Sequence, residues 1–232
     1  MIQLKEVTKK FKSTLAIDHI NLDIQQGEVF ALLGHNGAGK TTTLNLLMGF
    51  HKPDSGEIRV LGRDPYSEGD IIRKDTSFIP EHVNLYPSLS GLENLSYFSQ
   101  LAGQSYTNAE LTEFLNQSGL PSAAVNREMS TYSKGMRQKV GIAIATAKRA
   151  KLIVMDEPAS GLDPVASKEL SQLISKLAKE GTTLVMASHD LFRVKETADR
   201  IGIMHQGKLV RILDASTLTA NDLENIYLGT AS

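Results

Sequence analysis

The sequence of 232 residues contains no cysteine. Disulfide bonds and thiolate chemistry are therefore excluded, and the composition fits a reducing compartment. Charge of one sign is not in excess either, because 25 lysines and arginines stand against 26 aspartates and glutamates. A broadly basic surface for non-specific nucleic-acid binding is thus not indicated.

Long apolar runs are also lacking. No stretch reaches the ~18 residues of a membrane-spanning helix. The start, MIQLKEVTKKFK, mixes polar and apolar residues and does not resemble a secretory leader. If the protein serves a membrane, we therefore expect it to do so through another chain. Hydrophobic residues make up 41% of the sequence, which is enough for a sizeable core.

The pattern of apolar residues changes twice along the chain. Segments typical of strands open it (IQLKEV, IDHINLDI, EVFALLG), followed by a helix-like run, TTTLNLLMGF, and a further strand, GEIRVLG. From about residue 81 to 150 helical segments dominate, with caps expected at Ser90 and at Thr107 or Asn108. Strands and helices then alternate, which predicts a parallel sheet with crossover helices. The segment IGIMHQGKLVRILDAS predicts a final hairpin that turns at Gln206-Gly207.

A glycine-rich turn follows the apolar segment EVFALLG. Residues 34–41, GHNGAGKT, fit the phosphate-loop pattern G-x-x-x-x-G-K-[ST], and a helical run follows at once. Glycines let backbone N–H groups curl around a β-phosphate. In this pattern Lys40 reaches the β- and γ-phosphates, and the Thr41 hydroxyl binds Mg²⁺. The nucleotide-binding residues predicted here are Gly34, His35, Asn36, Gly37, Ala38, Gly39, Lys40, Thr41 and Thr42.

Two acids end the later apolar segment KLIVMDE. Asp156 and Glu157 follow four apolar residues, and open α/β sheets bind ligands at the carboxyl ends of their strands. We expect Asp156 to hold Mg²⁺ through water and Glu157 to take a proton from the attacking water. The alternative is that both acids only cap the turn at Pro158. With Lys40, Glu157 is a predicted catalytic residue.

A second candidate for phosphate contact is YSKGM, residues 132–136. Ser133 and Gly135 stand where a helix can begin, and a helix start offers free N–H groups and a partial positive charge. The alternative is an ordinary helix cap at Ser133 with Lys134 in solvent.

Taken together, these motifs resemble the ATP-binding subunits of ABC transporters over nearly the whole chain. The resemblance implies an α/β fold: a P-loop NTPase core of the ABC ATPase type with an N-terminal antiparallel β subdomain and an inserted α-helical subdomain. Residues 1–232 would form one domain, with a β/RecA-like core in 1–80 and 151–232 and the helical insert, including the signature motif, in 81–150. ATP and Mg²⁺ would be its cofactors.

The resemblance also implies roles for single residues. YSKGM is similar to the family's signature, LSGGQ, and keeps its Ser133 and Gly135. In that family two subunits meet head to tail, so this turn would cover the γ-phosphate held by a partner, in a homodimer or a heterodimer. Asp163, in SGLD, resembles the D-loop, and Phe11 resembles the aromatic residue that stacks on adenine. His189 resembles the switch histidine and would position the attacking water.

Two positions depart from the family's pattern. Glu81, in FIPE, stands where the family has a glutamine that meets Mg²⁺ and the attacking water. A carboxylate can still ligate Mg²⁺, so Glu81 is a predicted metal-side or coupling residue, and the alternative is a solvated loop acid. Lys134 replaces the signature's first glycine and would face the γ-phosphate or point to solvent. Both departures resemble the branch that works with ABC-2-type exporter membrane subunits.

The implied partner is an integral-membrane transporter subunit, which would place the chain at the cytoplasmic face of the inner or plasma membrane. The segment HVNLYPSLSGLENL, after Glu81, is either a groove for a helix of that partner or the inner face of the insert's own core. We expect ATP hydrolysis that drives export, without a nucleic-acid partner. The alternative is a soluble ABC-type ATPase acting on ribosomes or DNA, which a single cassette without a basic excess disfavours. A metabolite kinase would have no use for the signature, the D-loop and His189.

Overall fold

The computed structural model describes residues 1–231. The strands within this range are β1 (Ile2–Phe11), β2 (Thr14–Ile24), β3 (Val29–Leu33), β4 (Ser55–Val60), β5 (Thr76–Ile79), β6 (Leu152–Asp156), β7 (Thr183–Ser188), β8 (Arg200–His205) and β9 (Lys208–Asp214). They form a smaller antiparallel sheet of order β2-β1-β4 and a larger sheet of order β5-β6-β7-β3-β8-β9. In the larger sheet all neighbouring strands are parallel except β8 and β9.

Strand β3 shows why the larger sheet lies inside the protein. All five of its residues are buried, and its alternate side chains enter different cores. Phe30 and Leu32 pack with the smaller sheet, whereas Ala31 and Leu33 pack on the opposite side of the strand. A strand buried on both faces is typical of a parallel sheet that is covered on each side.

The helices in the described part of the chain connect these strands. They are α1 (Lys40–Leu47), α2 (Gly69–Asp75), α3 (Gly91–Leu101), α4 (Asn108–Gln117), α5 (Lys134–Ala147), α6 (Pro164–Lys179), α7 (Leu191–Thr197) and α8 (Ala220–Ala231), with short 3₁₀ turns at Ser122–Ala124, Met129–Thr131 and Ala215–Thr217. Because α1 follows β3 and α7 follows β7, both helices begin at the carboxyl edge of the larger sheet.

Helices α3, α4 and α5 share a third core of their own. Leu95, Leu111, Leu115 and Val140 are all buried in it. The predicted caps are confirmed: Ser90 with Glu93 begins α3 in a capping box, and Thr107, rather than Asn108, does the same for α4. The residues of this core all lie between positions 85 and 147, and the division of the chain at residues 81 and 150 stays a prediction.

Two helices differ from the sequence expectation. Neither α2 (GDIIRKD) nor α8 (ANDLENIYLGTA) was predicted. Helix α2 buries only Gly69 and Ile72, so its short sequence carries little apolar periodicity. The final hairpin is confirmed, since His205 pairs with Lys208 across Gln206-Gly207. Within residues 1–231, no helix is both long enough and apolar enough to cross a membrane.

Candidate nucleotide-binding site

The glycine-rich turn lies between the end of β3 and the start of α1. Gly39 immediately precedes the helix with φ 106°, and a Cβ at that position would come within 2.7 Å of the Ala16 carbonyl oxygen. Only glycine fits both conditions. Two backbone hydrogen bonds fix the loop to its neighbours: Gly34 N–H donates to the Ser188 carbonyl, and Gly207 N–H donates to the Ala38 carbonyl. The first N–H groups of α1 have no partner within the helix, and such groups can bind an anion.

Lys40 is buried to 5% exposure and its amine is held inside the loop. Nζ donates to the Gly34 carbonyl oxygen at 2.7 Å and to the His35 carbonyl oxygen at 3.3 Å. It also lies 3.4 Å from Glu157 Oε1. A buried cation that is held mainly by neutral carbonyl groups is suited to accept an anionic ligand.

Thr41 and Asp156 meet although they are 115 positions apart in the chain. The Thr41 hydroxyl donates to Asp156 Oδ2 at 2.9 Å, and Oδ1 is 3.2 Å away. Burial raises the pKa of the Asp156 carboxyl, the hydrogen bond from Thr41 opposes this, and the negative charges of Glu157 and Glu81 add to the rise. Hydroxyl and carboxylate oxygens next to excess negative charge are the donor set that Mg²⁺ prefers.

Glu157, directly after β6, combines backbone strain with an unsatisfied oxygen. Its φ is 45°, a left-handed conformation that costs a non-glycine residue about 1–3 kcal/mol. Oε2 accepts hydrogen bonds from the ring and the backbone N–H of His189, at 2.9 and 3.3 Å. Oε1 is buried and accepts no hydrogen bond, although Lys40 is close to it. Strain and an orphaned acceptor at one carboxylate point to a functional role.

His189 follows β7 and places its ring beside Glu157. Strands β6 and β7 are neighbours, with Asp156 opposite Ala187, so the residues after their ends must meet. The His189 side chain is 55% exposed. One ring nitrogen is therefore engaged by Glu157, while much of the ring remains accessible from the open side of the site.

Glu81, two residues after β5, is held by other side chains. Ser160 Oγ donates to Glu81 Oε1 at 2.8 Å, and Lys134 Nζ lies 3.5 Å from the same oxygen. The Ser160 hydrogen bond is the main cause that lowers the pKa of Glu81. Lys134 is 24% exposed and pairs with Glu81 of its own chain, a partner that the sequence did not predict. A contact of Lys134 with a γ-phosphate stays a prediction. The metal-side role of Glu81 stays a prediction.

The remaining predicted residues lie at the rim. Ser133 begins α5, and its hydroxyl accepts from Met136 N–H at 3.2 Å, so the cap that the sequence offered as an alternative is present. Asp163 likewise caps α6 through two backbone N–H groups at 2.9 Å. The Phe11 ring is 40% exposed and meets His51 edge to face at 5.1 Å. Roles of Ser133, Gly135 and Asp163 toward a partner subunit stay predictions.

Sequence reasoning missed two contributors. Gln138, on α5, donates to the carbonyl oxygens of Pro80 and Glu81. His51 borders Phe11. The spacing of Lys134 and Gln138, four residues apart on a predicted helix, was a signal that they share a face. Within residues 1–231, no group of three or more histidine, aspartate or glutamate side chains is arranged to hold a metal ion.

Replacing Asp156 by asparagine should raise the melting temperature of the nucleotide-free protein in EDTA. The folded pKa of Asp156 is raised, chiefly by burial, so the stability linked to its proton is present at low pH and lost as pH rises through that pKa. Asparagine removes the charge and keeps an acceptor for Thr41. We expect a gain of about 2–4 °C near neutral pH, corresponding to ~1 kcal/mol after solvent screening.

The matched control is Asp214→Asn. The pKa of Asp214 is lowered, mainly by its hydrogen bond from Ser216, so its stabilisation is present above the unfolded pKa and lost as pH falls. That variant should therefore melt lower than the wild type at about pH 7. Melting curves of Asp156→Asn and the wild type should be compared at about pH 4 and about pH 7. A rise in melting temperature that is equal or larger at about pH 4 would contradict the prediction for Asp156.

Known proteins are similar to this chain in sequence. The family described as ABC transporter matches residues 17–160. A bacitracin transport ATP-binding protein of Bacillus licheniformis is 36% identical over 211 residues, which cover 90% of this chain and 68% of the relative. A lantibiotic transport ATP-binding protein of Streptococcus pyogenes is 34% identical over 227 residues, which cover 98% of this chain and 96% of the relative.

Solved structures show the same arrangement of sheets and helices. A dimeric ATP-binding cassette in a post-hydrolysis state, bound to ADP and Pi, superposes with a TM-score of 0.84 at 29% identity, covering 93% of this chain and 99% of that one. A second solved structure, CbiO1 of Clostridium perfringens, shares the fold with a TM-score of 0.85 at 24% identity, and the match covers 99% of this chain and 94% of that one. The predicted fold class is confirmed.

Proposed function

Because this chain belongs to the ABC transporter family, whose ATP-binding subunits are ATPases, we propose that it drives export through a separate integral-membrane subunit. One observation carries the proposal for the chemistry. The ends of β3, β6 and β7 bring Lys40, Glu157 and His189 into contact, with Lys40 3.4 Å and His189 2.9 Å from the Glu157 carboxylate. A phosphate-binding cation, a base and a histidine are thus assembled at one edge of the sheet.

In this proposal residues 34–42 bind the phosphates of ATP and Phe11 stacks on the adenine. Thr41 and Asp156 would hold Mg²⁺, and their mutual hydrogen bond supports this because it puts two oxygen donors side by side. The ion supplies neutralisation of the phosphate charge. Glu157 accepts the proton of the attacking water, and His189 orients the Glu157 carboxylate through its ring nitrogen.

The same proposal includes a nucleotide-bound dimer. Ser133, Gly135 and Asp163 would face the nucleotide of a second subunit, a copy of this chain or a relative. The exposed Ser133 at the start of α5 supports this, since the first turn of a helix has N–H groups without partners inside the helix. The dimeric cassette with ADP and Pi, similar to this chain at 29% identity, supports it further.

The membrane subunit would dock in a groove between the larger sheet and the helical insert. The groove has a volume of about 430 Å³ and is lined by Phe50, Phe78, Val83, Leu85, Phe98 and Leu101, among others. Val83 and Leu85 belong to the segment after Glu81, so this part of the segment borders the groove. Leu85 and Leu92 also pack on the insert's own core. Docking there would place the chain at the cytoplasmic face of the membrane. The relatives named for bacitracin and lantibiotic transport support a cargo of that kind.

Purification of the tagged chain from detergent-solubilised membranes should recover a polytopic membrane protein. Leu101→Glu should abolish recovery, because Leu101 is 66% exposed at the groove and a charge there opposes apolar docking. Val210→Glu is the matched control, since Val210 is 45% exposed on β9, at the other edge of the sheet from β5. Co-sedimentation with ribosomes or DNA instead of a membrane protein would contradict the proposal and favour the alternative function.

A further inference from the structure

Three separate segments meet at the Glu81 side chain. The carboxylate oxygen Oε1 accepts a hydrogen bond from Ser160, in the turn after β6, and lies 3.5 Å from Lys134 at the start of α5. Lys134 is 24% exposed and Glu81 is 42% exposed, so water screens the pair only in part. Gly161 also approaches Lys134, because a Cβ there would lie 3.7 Å from the lysine Nζ.

One turn further along α5, another side chain binds the backbone at Pro80 and Glu81. Gln138 is buried to 2% exposure and donates through Nε2 to the carbonyl oxygens of Pro80 and Glu81 at 3.4 and 3.3 Å. Gly141 continues this face, since a Cβ there would lie 3.5 Å from Val83. Positions 134, 138 and 141 share one side of a helix. The α5 face therefore contacts the Glu81 segment at three successive turns.

We propose that Lys134, Gln138 and Ser160 are positioning residues that hold Glu81 of their own chain, as a clasp between the signature turn, the segment after β5 and the turn after β6. The inference rests on the proposed ATPase site, in which Glu81 borders the Mg²⁺ position. It gives Lys134 a role within its own chain that does not require a partner's phosphate.

Charge balance supports the clasp. Glu81 and Lys134 stand where the resembling family has glutamine and glycine, which are both uncharged. A carboxylate alone would add negative charge beside Asp156 and Glu157. The lysine 3.5 Å away offsets it, so the two departures leave the local net charge unchanged. Glu81 or Lys134 alone would therefore leave an uncompensated charge beside the site, and the two together do not.

Amide hydrogen exchange over residues 80–86 of the nucleotide-free protein tests the clasp without any turnover. Lys134→Met and Glu81→Gln should each raise exchange there by about two- to fivefold, as expected for a partly exposed ion pair. The double variant should exchange no faster than either single one, since both remove one interaction. Lys139→Met is the control, because Lys139 is on the same helix but pairs with Glu169 on α6 at 2.7 Å. Unchanged exchange in Lys134→Met, or additive effects in the double variant, would overturn the proposal.

Turnover provides a second readout through rescue. Lys134→Gly and Glu81→Gln should each lower kcat for Mg-ATP by about two- to fivefold, and the double variant, which restores two uncharged residues, should return to within about twofold of the wild type. A double variant as slow as the product of the two single effects would count against the clasp. A wild-type chain without Mg-ATP turnover would instead contradict the proposed function, and the exchange experiment would still decide whether Lys134 holds Glu81.

Discussion

Replacement Glu157→Gln should lower Mg-ATP turnover by about 10²- to 10⁴-fold, the usual contribution of a general base, while ATP binding is retained. Glutamine has nearly the same shape but cannot take a proton. Its oxygen can still accept from His189, and Lys40 keeps its hydrogen bonds to the carbonyl oxygens of Gly34 and His35. The fold of the site should therefore persist, and the loss should lie in kcat rather than in KM.

The same variant should accumulate as a dimer. If ATP joins two subunits and is no longer cleaved, the joined state persists. Light scattering after size exclusion, with and without saturating Mg-ATP, measures this. A Glu157→Gln protein that turns over like the wild type, or stays monomeric with Mg-ATP both alone and with its membrane partner, would contradict the proposal.

His189→Ala separates the histidine from the base. It removes the 2.9 Å hydrogen bond to Glu157 but leaves the carboxylate, so we expect ATP binding largely intact and most turnover lost. His19→Ala serves as the control, because His19 is 64% exposed and its ring pairs with Asp18 rather than with Glu157. Wild-type turnover in His189→Ala would refute the role of the histidine.

Gly49→Ala should be the most destabilising small substitution near the phosphate loop, at about 2–5 kcal/mol of unfolding free energy. Gly49 follows α1 with φ 70°, which disfavours any side chain. A Cβ there would also lie 1.9 Å from the Pro65 carbonyl oxygen, far inside contact distance. Since Pro65 offers backbone atoms and no flexible side chain, either the end of α1 or the segment before α2 must move.

Urea denaturation measures this loss, and Gly181→Ala separates its two causes. Gly181 has φ 95° but nothing within 4 Å of its ideal Cβ, so alanine there should cost only the backbone term of about 1–2 kcal/mol. Equal losses for the two variants would show that the contact with Pro65 does not matter. If Gly49→Ala does not yield folded protein while Gly181→Ala does, the same conclusion holds as for a large measured difference.

Local patterns in the sequence predicted the parts of the site that lie on strand ends and helix starts. Lys40 and Thr41 follow a glycine-rich turn, and Asp156 and Glu157 end an apolar strand, so each position follows from its own neighbours. The partner of Lys134 could not be predicted this way, because Glu81 is 53 positions away and the contact depends on how α5 packs against β5.

Other features were hidden for different physical reasons. The left-handed backbone of Glu157 has no local signal, since the following Pro158 only restricts the conformation broadly. Helix α2 has too few buried residues to produce a periodic pattern. Helix α8 begins at residue 220, after the final hairpin. Its sequence, ANDLENIYLGTA, mixes polar and apolar residues without a strong apolar repeat.

The position of β5 determines which strand of the larger sheet a mechanical force on the helical insert would displace first. It is an edge strand of four residues with β6 as its sole neighbour in the described sheet, whereas β3, which carries the phosphate loop, lies between two strands. Pulling on the helical insert would therefore displace the short outer strand before it deformed the centre of the sheet. A force applied to the insert can therefore move Glu81 while the phosphate loop around Lys40 keeps its conformation.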